Sequence, residues 1–196
     1  MAAFKRGINE MKDKLLLVGA GGFGRVVLEH ASREYDCAFL DDGPEAGTVI
    51  DDAVVLGKTS DLARWYGEYK LLVVTIGNNA LRERIYAEAR EIGYSFPNII
   101  HPSAYISPRA QLGSGIIILN NAVVQNGSKV GDGLIMNPGA ELHQDSTVGS
   151  NVLIYTNSVV RSLTHVGDRA WIGANAVIGT RATLPDDARV EDGEVV

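Results

Sequence analysis

The chain predicts two joined architectures, a small α/β unit over residues 1–98 and an all-β coil of short parallel strands over residues 99–196. The first observation is a six-residue repeat: from Ile100 to Val196 every sixth residue is aliphatic, 17 positions without a break. Ile, Leu, Val and Met fill only 55 of 196 positions, so chance would produce such a run roughly a few times in a billion. The second is a continuous apolar run, residues 15–18, that meets the turn Gly19-Ala20-Gly21-Gly22-Phe23-Gly24. The third is charge density: 27 charged residues in the first hundred against 15 in the remaining 96. The two segments therefore follow different construction rules.

In the first segment the run 15–18 reads as a buried parallel strand, followed by the glycine turn and a helix over 25–32. Strand, glycine turn and helix form a phosphate-cradling arrangement, because glycines admit a close ligand and the helix amino end offers free N–H groups. Residues 37–40 form the next strand and end on Asp41 and Asp42, where Rossmann-like units place a ribose- or base-binding acid. A short strand at 54–56, a helix over 59–66 and a buried strand over 71–76 follow. Gly77-Asn78-Asn79 then caps an amphipathic helix over 80–92, and residues 98–101 lead into the repeats.

A period of six suits neither a helix nor a plain alternating strand. It suits a short strand plus a tight corner, with one aliphatic pointing inward per flat face. A small residue recurs four positions after most of the aliphatics (Ala104, Ala110, Ala122, Ser128, Ala140, Ser146, Ser158, Thr164, Ala170, Ala176, Ala182, Ala188) and fills the corners, with Ile116, Leu134, Val152 and Glu194 as exceptions. Three hexads make a coil of 18 residues, giving about five stacked coils and the core ladder Ile118, Met136, Ile154, Ile172, Val190.

Composition excludes several classes. Eighteen basic against 24 acidic residues leave no basic excess for a nucleic-acid binder. The single cysteine, Cys37, allows no internal disulfide. No segment reaches the ~18 apolar residues of a membrane span, and residues 1–14 show no leader, so a cytoplasmic protein is expected. No cluster of His, Cys, Asp or Glu has metal-ligand spacing. His30, His101 and His165 read as structural or solvated, and Asp186, Asp187, Glu191, Asp192 and Glu194 as a solvated acidic cap on the coil's end.

The order of a glycine-turn α/β unit ahead of hexad repeats resembles the two-domain sugar acetyltransferases of the PglD/NeuD type. The resemblance rests on residues 19–24, on Phe39-Leu40-Asp41-Asp42, on Gly77-Asn78-Asn79 with Arg82, and on Ile100-His101-Pro102. It implies a left-handed parallel β-helix, a homotrimer with the donor groove between neighbouring prisms, and transfer of acetyl from acetyl-CoA to a nucleotide-linked amino sugar in bacterial surface-glycan synthesis. The implied substrate residues are Gly19, Gly21, Gly22, Phe23, Gly24, Asp41, Asp42, Gly77, Asn78, Asn79, Arg82 and Asn137; the implied donor residues are Asn157, Gly173 and Ala174. The family's catalytic His, followed by an acid, aligns with Gln144-Asp145-Ser146-Thr147-Val148-Gly149, and the histidine of this chain stands one place earlier, at His143. A Gln amide has no basic lone pair, so His143 is the expected base, with Asp145 as its orienter and Gln144 as a substrate contact. Leu153 and Asn157 also depart from a His and a Gly of the family, and Phe23 from its Gly-His-Gly loop. A homologue that binds sugar nucleotide or CoA without turnover is the alternative. A nicotinamide-dependent oxidoreductase is disfavoured, since no catalytic dehydrogenase domain follows the short α/β unit.

Overall fold

The computed structural model describes residues 12–196. The reading of the amino terminus as leaderless therefore falls largely outside the described residues. The α/β unit is a five-stranded sheet in the order β3-β4-β2-β1-β5. Its elements are β1 (Asp13–Val18), α1 (Gly22–Ala31), β2 (Tyr35–Leu40), β3 (Val49–Ile50), β4 (Ala53–Gly57), α2 (Leu62–Trp65), β5 (Leu71–Val74) and α3 (Asn79–Ile92). β1, β2, β4 and β5 are parallel, and β3 joins β4 as an antiparallel hairpin that the sequence pattern did not reveal. Leu15, Leu16, Leu17 and Val18 are all fully buried, because both faces of the sheet are covered. Several boundaries differ from expectation: β2 begins at Tyr35 and β5 ends at Val74. α1 begins inside the glycine turn, at Gly22, and the helix expected over 59–66 divides into a 3-10 turn, Thr59–Asp61, and the single turn of α2.

From Ile99 onward the chain winds into a triangular prism of three parallel sheets with six, five and five strands. Every strand pairs with the one 18 residues on, as Ile117 with Ile135 and Leu153 with Trp171. The first face carries strands from Ile99–Ile100 to Arg189–Val190, the second from Tyr105–Ile106 to Val177–Ile178, the third from Gln111–Leu112 to Thr183–Leu184. Ile118, Met136, Ile154 and Ile172 are fully buried, as are the corner residues Ala122, Ser128, Ala140 and Ser146. The exceptions Ile116, Leu134 and Val152 stack with Ala170 and Ala188 in one corner and fill the core there.

Left-handed backbone recurs at every sixth position from Gly115 to Gly193. Gly, Asn and Asp occupy nearly all of these positions, the residues that tolerate this conformation best. Leu163, Arg169 and Arg181 are the departures, at about 1–2 kcal/mol each. The acidic end is stitched as well as solvated: Asp186 and Asp192 accept the N–H groups of Asp168 and Ala174 from the coil before, and Asp187 pairs with Arg169.

The α/β unit packs on the first face. Leu15, Leu17, Val27, Leu28 and Ala31 share one apolar cluster with Ile117, Leu119, Ile135 and Leu153. α3 runs down an adjoining edge of the prism and caps a ladder of corner carbonyls. Tyr86 donates its hydroxyl to Gly115 O (2.8 Å), Arg82 Nε to Gly133 O (3.0 Å), Arg82 Nη2 to Asn151 O (2.6 Å) and Asn79 Nδ2 to Arg169 O (2.8 Å). The acceptors are spaced by 18 residues and the donors by three or four. One helical turn of ~5.4 Å nearly matches one inter-strand step of ~4.8 Å, so the helix tracks the coils.

Candidate active site

The four glycines of the first turn divide the labour expected of this motif. Gly19 takes φ +113° and turns the chain off β1. Gly24 packs so tightly that a Cβ would lie 2.0 Å from Gly19 O, which joins helix to strand. Gly21 and Gly22 face open space, where a ligand's phosphate has room to approach the N–H groups of the first turn of α1. Gly24→Ala is therefore expected to separate α1 from β1 and weaken the affinity for a phosphate-bearing ligand at least about tenfold, as the cradle loses its geometry, read by calorimetric titration. An unchanged affinity would remove the turn from the site.

Asp41 organises this turn. Its Oδ2 accepts the Ala20 N–H (2.7 Å) and its Oδ1 the Gly43 N–H (2.8 Å). Asp42 accepts both the N–H and hydroxyl of Thr59 (2.9 and 3.0 Å). The two carboxylates border a cleft of about 390 Å³ with Thr59, Ile76, Arg84 and Glu88, at the carboxyl ends of the strands. Gly77 and Asn78 lie exposed nearby, and the Asn78 side chain caps α3 by accepting the Leu81 N–H.

Two expected substrate residues join the α/β unit to the prism. Arg82 is fully buried, and its guanidinium donates to Gly133 O, Asn151 O, Ile76 O and Asn79 Oδ1. Burial brings its pKa down to about 10. Asn79 is turned to the prism, donating to Arg169 O and Ala170 O. Both are clasps between the α/β unit and the coils, because the corner carbonyls they reach need partners once covered. Phe23 is half-buried against the apolar cluster of the first face, as are Tyr155 and Trp171.

At the carboxyl end of α1, His30 meets His101 of the first coil in an edge-on contact, 4.8 Å between ring centroids. Burial and the facing imidazole hold the His30 pKa down. Phe23 precedes His30 by two helical turns, about 10 Å, or roughly two coil rises. Phe23 shares an apolar cluster with Tyr155, and Asn137 lies one coil before Tyr155 on the same edge of the prism. Asn157, Gly173 and Ala174 continue along that edge. Their backbone groups are engaged: Asn157 N–H donates to Pro138 O (3.1 Å) and Ala174 N–H to Asp192 Oδ1 (2.7 Å). A Cβ on Gly173 would meet the Asp192 backbone at 2.6 Å, so this glycine is required by stacking.

His143, Gln144 and Asp145 stand on the next edge, across the second face. The His143 ring nitrogen Nε2 lies 3.1 Å from Glu141 Oε2, and the imidazole is mostly covered. The carboxylate in contact with the ring is Glu141, whereas Asp145 adopts φ +57° and lies over the Cα of Gly127. Strand alternation, which puts residues two apart on one side, is the signal that pointed to Glu141. In the tautomer that donates Nε2–H to Glu141, Nδ1 carries the ring's lone pair. Gln144 is exposed, and its N–H donates to Gln125 Oε1.

A small Rossmann-like α/β unit on the side of a left-handed parallel β-helix defines a class: hexapeptide-repeat acyltransferases with an added amino-terminal domain. Residues 14–89 match the family model of the PglD N-terminal domain. The acetyltransferase domain of PglB from Neisseria gonorrhoeae FA1090 is 33% identical with a TM-score of 0.88, covering 94% of this chain and 91% of that one. A histidine-to-asparagine mutant of perosamine N-acetyltransferase from Caulobacter crescentus, in complex with CoA and GDP-perosamine, is 31% identical with a TM-score of 0.89, covering 93% and 88%. UDP-N-acetylbacillosamine N-acetyltransferase of Bacillus subtilis (strain 168) is 33% identical over 114 residues, 53% of this chain. The chain spans half or less of the length of the sequence relatives it matches. The chain belongs to the PglD/NeuD-type sugar acetyltransferase family.

Proposed function

We propose that this protein moves an acetyl, or a closely related acyl, group from a CoA thioester to the amine of a nucleotide-linked amino sugar in bacterial surface-glycan synthesis. The observation that carries the reading is the His143–Glu141 pair, which supplies a base one residue from the Gln144 position. The amine attacks the thioester carbonyl while His143 Nδ1 takes its proton. The resulting tetrahedral carbon expels the CoA sulfur, which the imidazolium protonates. Proximity in the groove supplies much of the acceleration and the base the remainder. Gly21, Gly22 and Asp41 hold the nucleotide end, and Gln144 and Asn137 orient the sugar.

The second face supports assembly into a trimer. Of its five outward residues, Tyr105, Val123, Val159 and Val177 are apolar and only partly covered by this chain and Glu141 alone is charged, whereas the third face presents Gln111, Lys129, Thr147, His165 and Thr183. A second copy packed there would close a groove between the glycine-turn edge of one prism and a His143 edge. A cytoplasmic location fits, since no helix among the described residues is long and apolar enough to cross a membrane.

The Gln144 substitution gives a second reading, a homologue that binds without turnover. Calorimetric titration with acetyl-CoA and with UDP- and GDP-linked amino sugars is expected to show one site for each class of ligand per chain. Absence of binding by both would end both readings.

A further inference from the structure

We propose that Leu163 is a specificity-determining residue that contacts the acyl end of the donor, an inference that rests on the acyltransferase reading above. Along the left-handed series, Leu163 is the one aliphatic, at φ +61°, and it is 47% exposed. Arg169, another departure, has compensation: its guanidinium bonds Glu83 (3.0 Å) and Asp187 (2.8 Å). Leu163 has no polar atom with which to recover the strain. Strain held without local compensation marks positions where function sets the residue.

Its position says which function. The Leu163 N–H donates to Gln144 O (3.2 Å), so Leu163 occupies the rung after Gln144 and Asp145, on the same edge as His143. An isobutyl group cannot recognise a hydroxyl or a phosphate; it recognises hydrocarbon. Beside the proposed base, the hydrocarbon of the reaction is the acyl group and the carbons next to the sulfur. A second, independent feature agrees. Arg161, two residues earlier, and Arg181, one coil on, are both exposed, and among the described residues neither forms an ion pair. An apolar spot flanked by two open cations suits a ligand with an apolar tip on an anionic carrier, as an acyl thioester of CoA is.

The test compares wild type with Leu163→Asn and Leu163→Gly, residues at ease in the left-handed region. Both variants are expected to melt higher and keep the wild-type sedimentation behaviour. Both should bind acetyl-CoA about fourfold more weakly, the value of one methyl contact, while binding free CoA unchanged. Equal losses for acetyl-CoA and CoA, or no loss for either, would overturn the assignment. So would a change in sedimentation with donor affinity intact, which would make Leu163 a contact between copies. If wild type binds acetyl-CoA but transfers nothing, the acyltransferase reading fails while the affinity comparison still decides Leu163. If wild type does not bind acetyl-CoA, both fall.

Discussion

Arg82→Met is expected to destabilise the protein by about 3–4 kcal/mol, the largest effect of any single change considered. Its guanidinium satisfies carbonyls of Gly133, Asn151 and Ile76 together with the Asn79 amide oxygen, the first two in a setting closed to water. A methionine fills similar volume but leaves these acceptors unpartnered, and each buried orphan costs about 1–3 kcal/mol. Arg82→Lys should recover only part of the loss, since an ammonium cannot span acceptors laid out for a planar fork. Urea unfolding midpoints would show this ordering. The companion expectation separates clasp from substrate residue: the folded fraction of Arg82→Lys should keep the wild-type KM for nucleotide sugar. A raised KM at unchanged midpoint would return Arg82 to the substrate site.

The second large effect is catalytic. His143→Ala should lower kcat by about two to four orders of magnitude with little change in either KM, because a general base acts mainly in the transition state. Glu141→Gln should lower it less, about tenfold, since the ring keeps a hydrogen-bond partner but loses the carboxylate that steadies its positive form. Asp145→Asn should leave kcat near wild type, as Asp145 is held over Gly127 and a corner Asn takes the same left-handed conformation. The reverse order, with Asp145→Asn costing more than Glu141→Gln, would restore Asp145 as the orienter.

The hexad repeat made the prism legible residue by residue, because each inward aliphatic and each corner residue answers to one packing rule. The 18-residue register followed from it, and the structure repeats that register on all three faces. The left-handed series is as plain in the sequence, as Gly115, Asn121, Gly127, Gly133, Gly139, Asp145, Asn151 and Asn157 at spacing six. What the chain did not disclose lies between the two segments. Asn79 and Arg82 follow a glycine turn and look like ligand residues, but α3 aligns its turns with coils some 50 to 90 residues away. That match depends on how one whole unit docks on the other, and no local pattern encodes it. Glu141 was hidden differently: the acid beside Gln144 in sequence is Asp145, whereas the acid beside His143 in space is two residues earlier.

The proposed role of His143 is to serve a site that transfers acyl from sulfur to an amine. The most direct test of this role is the release of free thiol when wild-type protein is mixed with acetyl-CoA and a panel of UDP- and GDP-linked amino sugars. Thiol release is expected to depend on the amino sugar and to match, mole for mole, an acetylated nucleotide sugar in the product. Tight binding of both ligands with no thiol released above background would contradict it and leave a binding protein on a transferase scaffold.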